Sequence, residues 1–244
     1  SQSYTSATRH PFLHAAGNGT LSNDLLSLWL SQDRIYAAHA YPKFIGSLIA
    51  NIPFSSSDLN HPSSTSATPE SPEVINQRIL QSLVSCLTNV IREAKFFQET
   101  SEKWGLKLEG WQERKGTRDY TAEMTRISAN GRIEDGLVFL WAMEKVYLDA
   151  WTYVRDQLNA RDKSDLKNTD SAVVPFAHNW SSPEFIQFVE ELADLVDNVA
   201  RSRGIASSDR DSEAYQRAEE ICKRVVELEI GFWPEFGEEK NLRS

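Results

Sequence analysis

The chain has 244 residues, 40% of them hydrophobic and 10% aromatic, which is enough to fill one sizeable core, so a single globular domain over 1–244 is expected. A net charge of −9 and a pI near 5.1 argue against nucleic acid or an anionic membrane surface as partners, because the surface would repel both. Two cysteines, Cys86 and Cys222, with no CxxC and no Cys/His cluster, provide neither a disulfide framework nor a structural zinc site and fit a reducing, cytoplasmic compartment.

No apolar run approaches the ~18 residues of a membrane span, and "SQSYTSATRHPF" lacks a signal peptide's apolar core. The glycosylation-like triplets at Asn18 and Asn179 are discounted with it. In chain order, "AGNGTLSNDLL" places a turn before Ser22, whose hydroxyl can cap a helix from about Asn23 to Ala40, with Pro42 disturbing its end and "KFIGSLIANIP" continuing apolar. Residues from about 53 to 72 are Ser/Pro/Thr-rich and read as a flexible insertion. Helices are then predicted from about Glu73 to Trp104, Arg118 to Ser128, and Ile133 to Leu158. In "NWSSPEF", Ser181 and Glu184 have capping-box spacing and open a helix to about Arg203; after "GIASSDRD" a last helix runs to about Trp233, where Pro234 stops it. No segment alternates like a strand and no internal repeat is visible, so the fold class is all-α.

Three of these helices carry an acid on the apolar stripe. Glu144 falls among Leu137, Leu140, Trp141, Leu148 and Trp151; Asp33 among Leu26, Trp29, Leu30, Tyr36, Ala37 and Ala40; Glu229 among Cys222, Val225, Val226, Phe232 and Trp233. Glu227 points elsewhere, and Asp149 is expected to pair with Lys145 on a solvated face. Any one such acid is ordinarily a buried carboxylate bonded to a Tyr, Trp or Arg. Three on facing stripes of a bundle can converge on one pocket, where mutual repulsion and low dielectric split their pKa values into an acid and a base.

A carboxylate-bridged di-iron centre would ask for Glu-x-x-His, but the residues three after the acids are Tyr36, Tyr147 and Phe232. Of the five histidines only His14 could serve as a haem ligand, weakly, and no metal or other cofactor is expected. There is no GxSxG elbow, P-loop or GxGxxG. Cys222 shares the Glu229 stripe and could face the floor of the pocket, yet both cysteines read best as small buried hydrophobes.

"HPFLHAAGNGTLSNDLLSLWLSQDRIYAAHA" resembles the N-terminal signature of the TenA/thiaminase-II family, and "ELEIGFWPEF" is similar to its Glu-x-x-Phe-Trp ending, with "GTRDYTAEM" and "FAHNWSSPEFIQFVEEL" fitting the segments between. The resemblance implies a haem-oxygenase-like helical bundle without haem. Its function would be aminopyrimidine or N-formylaminopyrimidine hydrolysis in salvage of thiamin breakdown products, by a homo-oligomer. It also implies site roles: Asp33, Tyr36, Tyr120 and Trp180 bind the small-molecule aminopyrimidine, and Glu229 moves protons to the leaving group. The better-known branch keeps a nucleophilic cysteine in the helix that here reads "LVFLWAMEKVYL", which has none. The chain therefore looks like the branch that uses a glutamate instead, and Glu144 is the expected counterpart, paired with Glu229. A helical binding protein that kept the pocket but not the chemistry, or a metal-dependent oxidase on the same architecture, are the competing readings.

Overall fold

The computed structural model describes residues 2–55, 71–161, 171–205 and 210–243; the insertion expected at about 53–72 lies, apart from its edges, outside the described residues. The helices are α1 (Gln2–Thr8), α2 (Pro11–Asn18), α3 (Asn23–Ile35), a π-helical turn (Tyr36–Ala40), α4 (Tyr41–Ala50), α5 (Pro72–Trp104), α6 (Lys115–Ala129), α7 (Ile133–Ala160), α8 (Val173–Asn179), α9 (Pro183–Ser202), α10 (Glu213–Phe232) and α11 (Glu238–Asn241). Among the described residues the sole β pairing is an isolated bridge between Trp111 and Arg243, so the all-α expectation is met.

The caps explain where the helices start. Ser22 accepts from Leu25 N at the head of α3, and Ser71 and Ser212 do the same for α5 and α10. At α9 the cap is Ser182, one residue later than the capping-box spacing indicated, because Ser181 is buried and donates instead to Ala177 O at 2.6 Å. Helix α2 begins with Pro11 behind His10, whose Nδ1 accepts from Phe12 N at 3.2 Å. That leaves the proton on Nε2, which faces Glu235 Oε1 at 3.3 Å. His10 is therefore a cap and a tie to the C-terminal segment.

The predicted helix over Asn23–Ala40 instead passes through the π turn into α4. Pro42 lacks an N–H and its ring would collide with the carbonyl four residues back. The widened turn, with Tyr41 N bonded to Tyr36 O, carries the chain past that conflict without a break.

Helix α7 is the central strut, packed by α1, α2, α8, α9 and α10. A knot of rings fills one end of the core: Trp29 meets Trp151 at 5.2 Å and Phe176 at 5.3 Å, and Trp180 stacks on Phe176 at 5.7 Å. Such pairs add about 0.5–1.5 kcal/mol each beyond area burial. The Lys145–Asp149 pair forms at 2.5 Å, but it sits under α1 and not on an open face, since Tyr4 also donates to Asp149 at 2.6 Å.

Two polar side chains lock the bundle around the site. Gln32, fully buried, accepts from Arg114 N and Thr117 Oγ1, both at 2.8 Å, and donates to Gln112 O at 3.2 Å, which fixes α3 to the start of α6. The Arg114 guanidinium, also buried, donates to the carbonyls of Gly231, Phe232 and Trp233 and pairs with Glu238 at 2.7 Å, so the open C-terminal end of α10 is closed by a cation.

Candidate active site

One cavity of about 340 Å³ lies between α3, the π turn, α5, α6, α7, α10 and the α8–α9 junction. All six residues singled out from the sequence line it: Asp33, Tyr36, Tyr120, Glu144, Trp180 and Glu229. Asp33 and Glu229 are buried, whereas Glu144 is half-buried and meets the cavity space. Cys222 does not line the cavity; of the two cysteines it is Cys86, on α5, that does. Burial pushes the Cys86 thiol up to about 12, so it is a neutral wall of the site.

A fourth acid joins the three on the inner wall, while Glu184 and Glu191 line the cavity from α9 as exposed residues. Glu93 stands on α5 in register with the buried Leu83, Cys86, Val90 and Phe97, and this stripe of threes and fours is the same signal that exposed Glu144. Tyr41, Met143 and Tyr147 complete the inner wall.

Each of the four inner-wall acids has its own aromatic donor. Tyr41 Oη donates to Glu144 Oε1 at 2.8 Å, Tyr120 Oη to Glu229 Oε2 at 3.0 Å, Tyr147 Oη to Asp33 Oδ1 at 3.2 Å, and Trp180 Nε1 to Glu93 Oε1 at 2.8 Å. Tyr36 Oη reaches Met143 Sδ at 3.3 Å, and its ring meets Tyr120 edge-on at 5.3 Å. The other oxygen of Glu229, Oε1, is buried without a hydrogen-bond partner; such an atom costs about 1–3 kcal/mol unless something supplies a donor.

Desolvation dominates the electrostatics. It pushes both Glu144 and Glu229 up to about 8 despite the tyrosine hydrogen bonds, with Glu93 adding to the first and Glu144 to the second. Asp33 is raised well above the usual range by burial and then by the Glu93 charge. Glu93 rises only to about 6, because Trp180 and then Arg92 pull back against burial. At neutral pH the cavity thus holds protonated acids beside one that is largely ionised. Arg92, an exposed residue, is the one cation among the lining side chains. Among the described residues no three His, Cys, Asp or Glu side chains gather as a metal-binding group.

Fold and site together define an all-helical bundle with an enclosed, acid-lined pocket of a size suited to a small organic ligand. The chain belongs to the TENA/THI-4/PQQC family, whose sequence profile matches residues 1–239.

The chain is 24% identical over 271 aligned positions to a Fusarium pseudograminearum protein named "Probable transcription factor", covering 98% of this chain and 50% of that one. It thus spans about half the length of that relative. A soybean (Glycine max) protein named "Probable bifunctional TENA-E protein" is 22% identical over 94% of this chain and 86% of its own length. Among solved structures, a TenA homologue from Pyrococcus furiosus superposes with a TM-score of 0.69 at 20% identity, over 95% of this chain and 93% of that one, which establishes the TenA-type helical bundle. No helix among the described residues is long and apolar enough to cross a membrane.

Proposed function

We propose that the cavity binds a thiamin-derived aminopyrimidine and hydrolyses its exocyclic C–N bond by acid/base catalysis between Glu144 and Glu229. The observation that carries this reading is the pair of glutamates, each seated on a tyrosine in one enclosed pocket and each raised to about 8, beside a third acid suited to a heterocycle edge. Asp33, held by Tyr147 and raised by burial, presents as a neutral carboxyl one donor and one acceptor, which matches a ring nitrogen next to an amino group. Tyr36, Tyr120 and Trp180 supply the apolar walls and fix the acids.

With an N-formyl substrate, catalysis runs through the form in which one glutamate of the pair has lost its proton; that carboxylate takes a proton from water as the oxygen bonds to the formyl carbon. The other protonates the departing nitrogen as the C–N bond breaks, releasing formate and the amine. With the free aminomethyl compound, ammonia leaves the methylene carbon, water adds its oxygen there, and its proton returns to a glutamate. The chain has no cysteine in α7, so no covalent thioether step is invoked.

Incubating the protein separately with the aminopyrimidine, its N-formyl derivative and thiamin, and following products by mass, tests the reading. Hydroxymethylpyrimidine or aminopyrimidine should form with thiamin untouched, and E144Q and E229Q should each abolish turnover while keeping the wild-type fold by circular dichroism. Wild-type rates in both variants would overturn the assignment. The Fusarium relative's name favours one second reading, a ligand-binding module without turnover, for which saturable pyrimidine binding with no product would be the signature.

A further inference from the structure

Glu93 takes no part in the reaction outlined above, yet it is built into the cavity with care. It stands on α5 and lines the cavity, its Oε1 fixed by Trp180 at the α8–α9 junction. Glu93 lines the same cavity as Asp33 and Glu144, and its charge raises both of them. Beyond α5, the titratable groups of the lining are Asp33 and Tyr36 from α3 and the π turn, Tyr41 from α4, Tyr120 from α6, Glu144 and Tyr147 from α7, Glu184 and Glu191 from α9 and Glu229 from α10. None of these is a cation, and Arg92 stands exposed.

A half-buried anion is costly without a close counter-charge, and the one cation of the lining, Arg92, is exposed and offsets burial only in part. Glu229, another acid of the lining, also keeps one oxygen, Oε1, buried without a hydrogen-bond partner. A ligand that brings both positive charge and N–H donors satisfies the two requirements together.

We propose that Glu93 is the specificity-determining residue of this pocket, holding the ammonium group of an aminomethyl-substituted heterocycle and discriminating it from neutral molecules of the same shape. The proposal rests on the aminopyrimidine reading for the heterocycle itself. There the ring amino and aminomethyl groups occupy adjacent ring positions, so two acids of one cavity can divide them, Asp33 taking the first and Glu93 the second. A hydroxymethyl or N-formyl counterpart leaves Glu93 ionised with only Trp180 and the exposed Arg92 to offset its burial. Such a neutral ligand must either bind with Glu93 protonated or forgo the contact.

The test is titration calorimetry at pH 7 with two ligands, 4-amino-5-aminomethyl-2-methylpyrimidine and its neutral hydroxymethyl analogue. Both are titrated into an E229Q parent, so that the amine is not consumed, and into the same protein carrying Glu93→Gln. Glutamine keeps the acceptor for Trp180 and nearly the same volume, so the cavity survives the change.

Loss of a charge-assisted hydrogen bond should weaken amine binding by about tenfold to a hundredfold, while the hydroxymethyl analogue moves by less than about threefold. Equal losses for both ligands, or an unchanged amine affinity, would overturn the specificity role and leave the pyrimidine reading intact, since the parent would still bind. A parent that binds neither compound would overturn the pyrimidine reading and the role of Glu93 with it.

Discussion

Replacing Gly116 by alanine is expected to damage the site more than the fold. Gly116 opens α6 and faces Gly231 on α10; a Cβ at 116 would lie 1.9 Å from the Gly231 carbonyl oxygen, and that atom is backbone, so no side chain can swing away. The two helices must part by about 1 Å before the contact is tolerable, a displacement of the kind that overpacking enforces. Tyr120 lies one turn along α6 and Glu229 two residues before Gly231, so their 3.0 Å hydrogen bond spans the gap that opens. The overpacking costs about 1–3 kcal/mol, less up to about 1 kcal/mol returned by the better helix propensity of alanine. The expected result is a fall of roughly 4–8 °C in Tm for a net loss near 2 kcal/mol in a chain of this size. Aminopyrimidine turnover should fall by about a hundredfold, as misplacement by 1 Å implies. Differential scanning calorimetry and a single-turnover assay on one preparation measure both. A G116A protein with unchanged Tm and turnover would refute the close approach as the device that sets the Tyr120–Glu229 contact.

Arg114→Met should cost about 3–5 kcal/mol, because the aliphatic side chain fills the space but leaves Glu238 and three carbonyls at the end of α10 without their donor; urea denaturation measures it, and a loss under 1 kcal/mol would show that water replaces the guanidinium freely. The raised acids also set the sign of the pH response. Glu144 and Glu229 have folded-state values near 8 against about 4.5 for an ordinary glutamate, so the folded chain binds more protons, and their contribution is full below about 4.5 and lost as pH rises through about 8. Each group removes up to about 1.4 kcal/mol per pH unit in that window. Denaturant midpoints at pH 5.5 and 8.5 should therefore fall with pH in the wild type and fall less in an E144Q/E229Q double variant; equal slopes would contradict the burial argument.

Helical periodicity made most of this molecule legible, because an amphipathic stripe records which face a segment buries. The stripe of α7 predicted both the helix and its misplaced acid, and α10 did likewise. Glu93 was readable by the same rule from its register with Cys86, Val90 and Phe97, but it precedes a polar and charged stretch that hides the stripe. Helix α1, "QSYTSAT", carries almost no apolar signal of its own and is held by tertiary bonds such as Tyr4 to Asp149 and Trp233 Nε1 to Ala7 O. The π turn was invisible for another reason: the sequence shows a proline conflict at residue 42 but not how a chain bounded by packed helices on both sides will resolve it. Gln32 reads as an ordinary polar neighbour of Asp33, since its role depends on backbone groups about 80 residues away.

The separate aromatic donor given to each inner-wall acid bears on how such a site can change over generations. No two of the four acids share a tyrosine or tryptophan, so a substitution at one alters a single corner while the other three keep their hydrogen bonds. Coupling between corners then runs through charge and through ring contacts such as that of Tyr147 with Trp180 at 5.2 Å, and a neutral isostere removes the charge part. A pocket wired in parallel can exchange one reactive group for another, glutamate where a relative carries something else, through intermediates that still fold and still bind. Diversification of chemistry on this bundle is therefore open to single steps.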